Sequence, residues 1–240
     1  WLESGIIVGA LLMMGLFHLV KYSALRERQL GYYCAAVLCV AWYYASASGL
    51  TSLLLWSDWP IVQPLESNLT GALALIFSSL FILSTLMLQQ PWVKGLRNLL
   101  FASITLTELL VVSDPSDHRW AQLSTLMMLV TGGFQLAMSI LGLYLKRPYA
   151  RSLVLIWAAV LVFMALLPLT RIGVLPPHPL IVNLSSYLPI ISVFLFGVLN
   201  GRQLDHLRQA LFDSQDQAIG NLEQYQALFR NASEGMFRCS

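Results

Sequence analysis

GLFHLVKYSALRERQLGYYCAAVLCVAWYYASASGL, residues 15–50, decides the fold. An apolar run ends at a short charged turn, Arg26-Glu27-Arg28, and a second apolar run led by Tyr32 and Tyr33 follows. A helix needs about 20 mostly apolar residues to cross the hydrocarbon core of a bilayer. The first run begins upstream, in WLESGIIVGALLMMGLFHLV, and is too long and continuous to be only the short apolar region of a signal peptide. The stretch therefore predicts two membrane helices joined by a basic hinge.

Composition carries the same reading outward. Of the 240 residues, 57% are hydrophobic and 11% charged, and the mean hydropathy is +0.68. Soluble domains carry about 25% charged residues, so this chain cannot cover a soluble core and its solvent is lipid. A net charge of +2 is too small to suggest nucleic acid, and no nucleic-acid partner is expected. Cys34, Cys39 and Cys239 are an odd, unclustered set, which argues against a disulfide framework or a zinc site. No metal or other cofactor is expected.

Seven candidate spans follow, near residues 3–22, 31–55, 66–88, 97–113, 120–145, 150–169 and 180–200. Eight of the ten prolines sit in the connections, where a helix has to stop. Trp56, Trp59, Trp92 and Trp120 also lie at span ends, as interfacial anchors do. Twelve Lys and Arg residues, from Lys21, Arg26 and Arg28 to Arg230 and Arg238, fall on one side of the membrane; Arg119 and Arg171 alone fall on the other. By the positive-inside rule the N-terminus is outside and the C-terminus in the cytoplasm. The expected fold is an all-α membrane protein, a seven-transmembrane helix bundle followed by a cytoplasmic signalling helix.

A retinal protein would need a lysine in the seventh span, and LIVNLSSYLPIISVFLFGVLN, residues 180–200, has none. The hinge Arg26-Glu27-Arg28 with Tyr32 and Tyr33 behind it instead resembles the bacterial seven-transmembrane receptors with diverse intracellular signalling modules (7TMR-DISM), over roughly residues 5–200. The end of the chain, LEQYQALFRNASEGMFRCS, resembles the start of a PAS domain, with Phe229, Asn231, Ala232, Gly235 and Phe237 at the positions of its helix, turn, glycine and strand. The resemblance implies a multi-pass sensor of the bacterial inner membrane. Its output would be a diguanylate cyclase, a phosphodiesterase or a histidine kinase outside this chain. It also implies three regions: a sensory domain at 1–200, a helical connector at 201–224 and the start of a PAS domain at 225–240.

The connector, GRQLDHLRQALFDSQDQAIGNLEQYQALF, is polar but patterned. Leu204, Leu207 and Leu211 follow coiled-coil spacing. Ala218, Leu222, Tyr225 and Phe229 resume it after two consecutive steps of four, Leu207 to Leu211 to Gln215, a stutter that locally unwinds a supercoil. Gly220 weakens the helix just beyond, by about 1 kcal/mol relative to Ala. A parallel homodimeric signalling helix is one reading; a surface helix along the membrane is the other.

Polar residues are expensive in lipid and often functional. They gather in the outer halves of the spans: Ser46, Ser48, Asn68, Thr70, Glu108, Asn183, Ser185, Ser186 and Tyr187. Asn68, Glu108, Asn183, Ser186 and Tyr187 are candidate ligand contacts for a small molecule or a lipid, with Arg171 as a charge opposite Glu108. The plainer alternative for Glu108 is a carboxylate that snorkels to the interface or stays protonated, bonded to a neighbouring helix. Pro189, inside the seventh span, should kink it and is a candidate hinge. Gly132 and Gly133 beside Gln135 are read as helix-packing positions, and His18 as an interfacial residue. No cluster of His, Asp or Ser–His pairs within the spans suggests an enzyme. The expected function is a receptor module; the alternatives are a passive anchor for an output enzyme or, with no convincing internal repeat, a small transporter.

Overall fold

The turn at Arg26-Glu27 joins two helices, α1 (Leu2–Leu25) and α2 (Arg28–Ala47). The computed structural model describes residues 2–55, 62–114, 118–171, 176, 187, 190–199, 201–202, 209 and 212–226. The two helices run antiparallel in close contact: Gly15 faces Leu38, and Gly31 faces the Tyr22 ring. A Cβ at Gly15 would stand 2.7 Å from Leu38 Cδ2, so only glycine allows this approach without repacking. The turn needs only two residues, because Arg26 adopts the left-handed conformation at φ 54° and donates its N–H to the Tyr22 carbonyl at 2.8 Å. Glu27 is extended and starts α2.

The expected second span, 31–55, is not one helix. α2 ends at Ala47, Gly49 turns the chain at φ 76°, and a separate short helix α3 (Leu50–Leu54) follows. The break is sterically specified, since a positive φ is the conformation glycine enters at no cost. Four longer helices complete the order: α4 (Val62–Thr85), α5 (Pro91–Ser113), α6 (His118–Tyr144) and α7 (Ala150–Arg171). Pro91 sits in the first turn of α5, where its missing N–H has no helical partner to lose. α4 and α6 end in left-handed residues, Met87 and Lys146. The following N–H groups reach back, Leu88 to the Leu83 carbonyl at 3.1 Å and Arg147 to the Gly142 carbonyl at 2.8 Å. These are the six-to-one bonds of a Schellman cap. The helix α8 (Ile190–Leu199) and a helix over 212–226, α9, lie further on.

Five of the described helices are long and apolar enough to cross a membrane, namely α1, α2, α4, α5 and α6; Ala150–Val162 and Ile190–Leu199 are shorter apolar helical stretches. The protein is a multi-pass, all-helical membrane protein. α1 is peripheral, with 17% of its apolar window buried, and α2 is central, with 44%. The core is built around α2 and α4: Tyr33, Val37 and Ala41 face inward from α2, Ala72, Phe81 and Ile82 from α4, and Leu86 from just beyond its end. Most other large apolar side chains point outward, as in α1, where Met13, Leu16, Phe17 and Val20 are exposed. That exposure is unsustainable in water and normal in lipid.

The chain divides into two units, residues 1–195 and 196–240. α9 belongs to the second and displays Phe212, Ile219, Leu222 and Tyr225 on its surface. Gly220 is helical there, with open space where a Cβ would stand. Leu204, Leu207 and Leu211, and residues 227–240 of the expected PAS start, lie outside the described residues.

Candidate functional site

Among the described residues, three polar assemblies interrupt the apolar bundle, and each joins one helix to another. The first contains Glu108. Its side chain is 8% exposed on α5, and it accepts a hydrogen bond from Ser124 Oγ of α6 at 2.9 Å. The carboxylate therefore lies between two helices, and the alternative of a bond to a neighbouring helix is the one the geometry displays. Asn68 is half-buried on α4 and is not among the hydrogen-bond partners of Glu108. Tyr187 is half-buried and helical; Asn183, Ser186, Pro189 and the Arg171 side chain lie outside the described residues. Thr70 is turned onto its own helix, donating to the Glu66 carbonyl at 2.7 Å.

The second assembly is centred on Glu66, which was not a sequence candidate. Trp42 Nε1 donates to one of its carboxylate oxygens, and Thr51 Oγ1 donates to the other at 2.9 Å. One carboxylate thus ties together the ends of α2, α3 and α4. Its only signal in the sequence is a lone acid at the start of an apolar span; Trp42, midway along the expected span 31–55, carries none. The Trp42 ring is 44% exposed, so the clamp borders the surrounding medium.

The third lies between α4 and α6. Gln135 is fully buried, and its Nε2 donates to Ser78 Oγ at 2.7 Å, Ser79 Oγ at 2.8 Å and the Leu75 carbonyl at 3.3 Å. Ser78 and Ser79 donate their own hydroxyl protons to the Leu75 carbonyl, which leaves their lone pairs to accept. That directionality fixes the amide with nitrogen toward α4 and leaves Gln135 Oε1 buried without a hydrogen bond. Beside it, a Cβ at Gly132 would stand 2.9 Å from Leu161 Cδ2, so the expected close packing applies there. At Gly133 nothing lies within 4 Å, and that half of the expectation does not hold.

His18 is packed inside the bundle. It is 5% exposed, its Nδ1 lies 2.9 Å from the Met14 carbonyl, and its ring packs edge-on to Tyr33 at 4.6 Å. Tyr33 in turn rests on Phe81 of α4 and donates its hydroxyl to the Val193 carbonyl of α8 at 2.7 Å. Cys34 Sγ reaches the Gly15 carbonyl at 3.3 Å. Tyr33 therefore joins α1, α2 and α4 to the last apolar helix before the connector. The tyrosine that follows the charged hinge was visible in the sequence, but its bond to a carbonyl 160 residues away was not.

Among the described residues no group of three or more His, Cys, Asp or Glu side chains is placed to hold a metal ion. Each assembly bonds one helix to another. Comparison with curated proteins and with solved structures gave no match. A family description, 7TM diverse intracellular signalling, matches residues 1–202, which take in the hinge, the three polar assemblies and α8. With residues 1–202 of its 240 so matched, the chain belongs to the 7TM diverse intracellular signalling family, a family of membrane receptor modules.

Proposed function

We propose that this chain is the membrane sensory module of a bacterial signalling protein, with seven spans, its N-terminus outside and its C-terminus in the cytoplasm of an inner-membrane host. It takes up a periplasmic or membrane-borne signal and passes it through the seventh helix and a homodimeric connector to a PAS domain. The output is a diguanylate cyclase, a phosphodiesterase or a histidine kinase. The observation that carries this reading is the hydroxyl of Tyr33 on the Val193 carbonyl, because α8 is the helix that leads toward the connector.

α2 is the lever in this mechanism. Its outer end is held by Trp42 on Glu66, and its inner part holds α8 through Tyr33. Nine residues separate the two contacts, about 14 Å along the helix axis. A ligand that competes for Glu66, or that engages Glu108 between α5 and α6, changes how the neighbouring helices pack. A shift of α2 then moves the Val193 carbonyl. A helix pair with two packings of similar energy needs only a small bias to switch.

Single cysteines at positions 207 and 211, placed in a background without the native cysteines and oxidised in membranes, test the reading. The expected result is disulfide-linked dimers whose yield changes in Tyr33→Phe, which removes only the hydroxyl. No dimer at either position overturns the dimeric connector. Dimers with a yield unaltered by Tyr33→Phe overturn the lever and reduce the module to a passive anchor.

A further inference from the structure

Between the ends of α1 and α2 nearest the hinge lies a groove of about 470 Å³, within the roughly 300–1,000 Å³ range of small-molecule sites. Leu19, Tyr22, Gly31, Ala35 and Leu38 line it, and Arg28 contributes the one formal charge among its lining residues. Gly31 lets the Tyr22 ring lie against the α2 backbone, 3.0 Å from where a Cβ would stand. The ring is thereby part of the wall.

Three features select the occupant. The groove borders the exposed apolar face of α1, where Leu16, Phe17, Leu19 and Val20 point outward, so the medium beside it is hydrocarbon rather than water. Arg28 is exposed, with no hydrogen bond or ion pair to the described residues, whereas the Lys21 ammonium is already turned over the Phe17 ring, 4.5 Å from its centroid. Arg26 and Lys21 add positive charge at the same level of the membrane, against the single carboxylate of Glu27 in the turn. An apolar channel open to lipid, ending at a guanidinium that can bond two phosphate oxygens at once, fits a lipid with an anionic headgroup.

We propose that this groove binds an anionic phospholipid of the inner leaflet, with one acyl chain along Leu19, Ala35 and Leu38 and the phosphate at Arg28. Basic residues beside the acyl–headgroup boundary draw anionic lipids from the cytoplasmic leaflet. Such a lipid would sit where α1 packs on α2, one turn from Tyr33, and would hold the hinge end of the lever. The inner-leaflet assignment rests on the orientation proposed above; the preference for an anionic headgroup does not.

Native mass spectrometry of the purified chain, released from detergent with phosphatidylglycerol or phosphatidylcholine of the same acyl composition, tests the site. The chain should retain the phosphatidylglycerol adduct about fivefold more than the phosphatidylcholine one, the equivalent of one cationic contact. Arg28→Gln should remove that preference. Ala35→Phe, which fills the groove and leaves Arg28 in place, should lower retention of both lipids. Equal retention of the two lipids by the unaltered chain, or a preference that survives Arg28→Gln, overturns the proposal. The leaflet is read separately, with Ser23→Cys in a chain whose native cysteines are replaced by serine, and a membrane-impermeant maleimide. Labelling in inverted vesicles alone supports the inner leaflet. Labelling in right-side-out vesicles alone overturns the orientation and the inner-leaflet assignment, while the detergent result still decides the lipid preference.

Discussion

Glu108 and Ser124 illustrate what a single residue costs and contributes inside this bundle. A carboxylate in an apolar span is conspicuous in a sequence because it is expensive in lipid, so Glu108 is legible without a structure. Ser124 is not: a serine in a membrane helix most often bonds its own backbone, as Ser103 does to the Leu99 carbonyl, and nothing in its neighbours marks it as the partner of Glu108. The same holds for Ser78 and Ser79, whose role as acceptors for Gln135 depends on which face of α4 meets α6. Removing a donor from a buried acceptor costs more than exchanging one acceptor for another. Ser124→Ala should therefore destabilise the protein by about 1 kcal/mol. Glu108→Gln, whose amide oxygen still accepts from Ser124, should cost less. Thermal unfolding in nanodiscs, followed by intrinsic fluorescence, ranks the two; a lower midpoint for Glu108→Gln than for Ser124→Ala would show that the charge itself holds the fold.

Helices were the legible elements, and breaks within them were not. The apolar runs locate α1, α4, α6 and α7 to within about four residues, because a bilayer demands length and composition above all, whereas α5 begins at Pro91, six residues before the expected span. The break at Gly49 escapes that reading, since glycine is ordinary in membrane helices and only its positive φ marks the turn. Nor could the sequence say which faces are buried: α6 and α7 show little amphipathic asymmetry, and against lipid no amphipathic stripe is required. α3, at five residues, is far below the length at which a helix holds itself, so its order rests on its contacts. Thr51 Oγ1 on Glu66 is the polar one. Glu66→Ala should release α3 while leaving α2 and α4 helical, seen as at least tenfold faster amide exchange at residues 50–54 and little change at residues 70–85. Unchanged exchange at 50–54 would mean that apolar packing, not the clamp, holds α3.

At the scale of the whole molecule, two surfaces ask for different solvents. The bundle of residues 1–195 displays leucine, valine and phenylalanine to lipid, which accepts them without penalty. α9 displays Phe212, Ile219, Leu222 and Tyr225 on a helix whose other residues are largely charged or amide-bearing. Phe212, Ile219 and Leu222 are separated by seven and three residues, the spacing of a coiled-coil seam. Leu222 and Tyr225 also belong to the seam read from the sequence. The proposed dimer would bury such a stripe against the same residues of a second chain, in register. If that is the dimer contact, Ile219→Arg with Leu222→Arg places four like charges across it in the two chains, and mass photometry in nanodiscs should then find monomers. The cysteines at 207 and 211 should cease to cross-link in the same variant. Should dimers persist with cross-linking intact, the seam is not the contact and the membrane bundle carries the dimer. α9 would then be a helix lying against the membrane surface, where arginines on its apolar face weaken binding to vesicles rather than to a second chain.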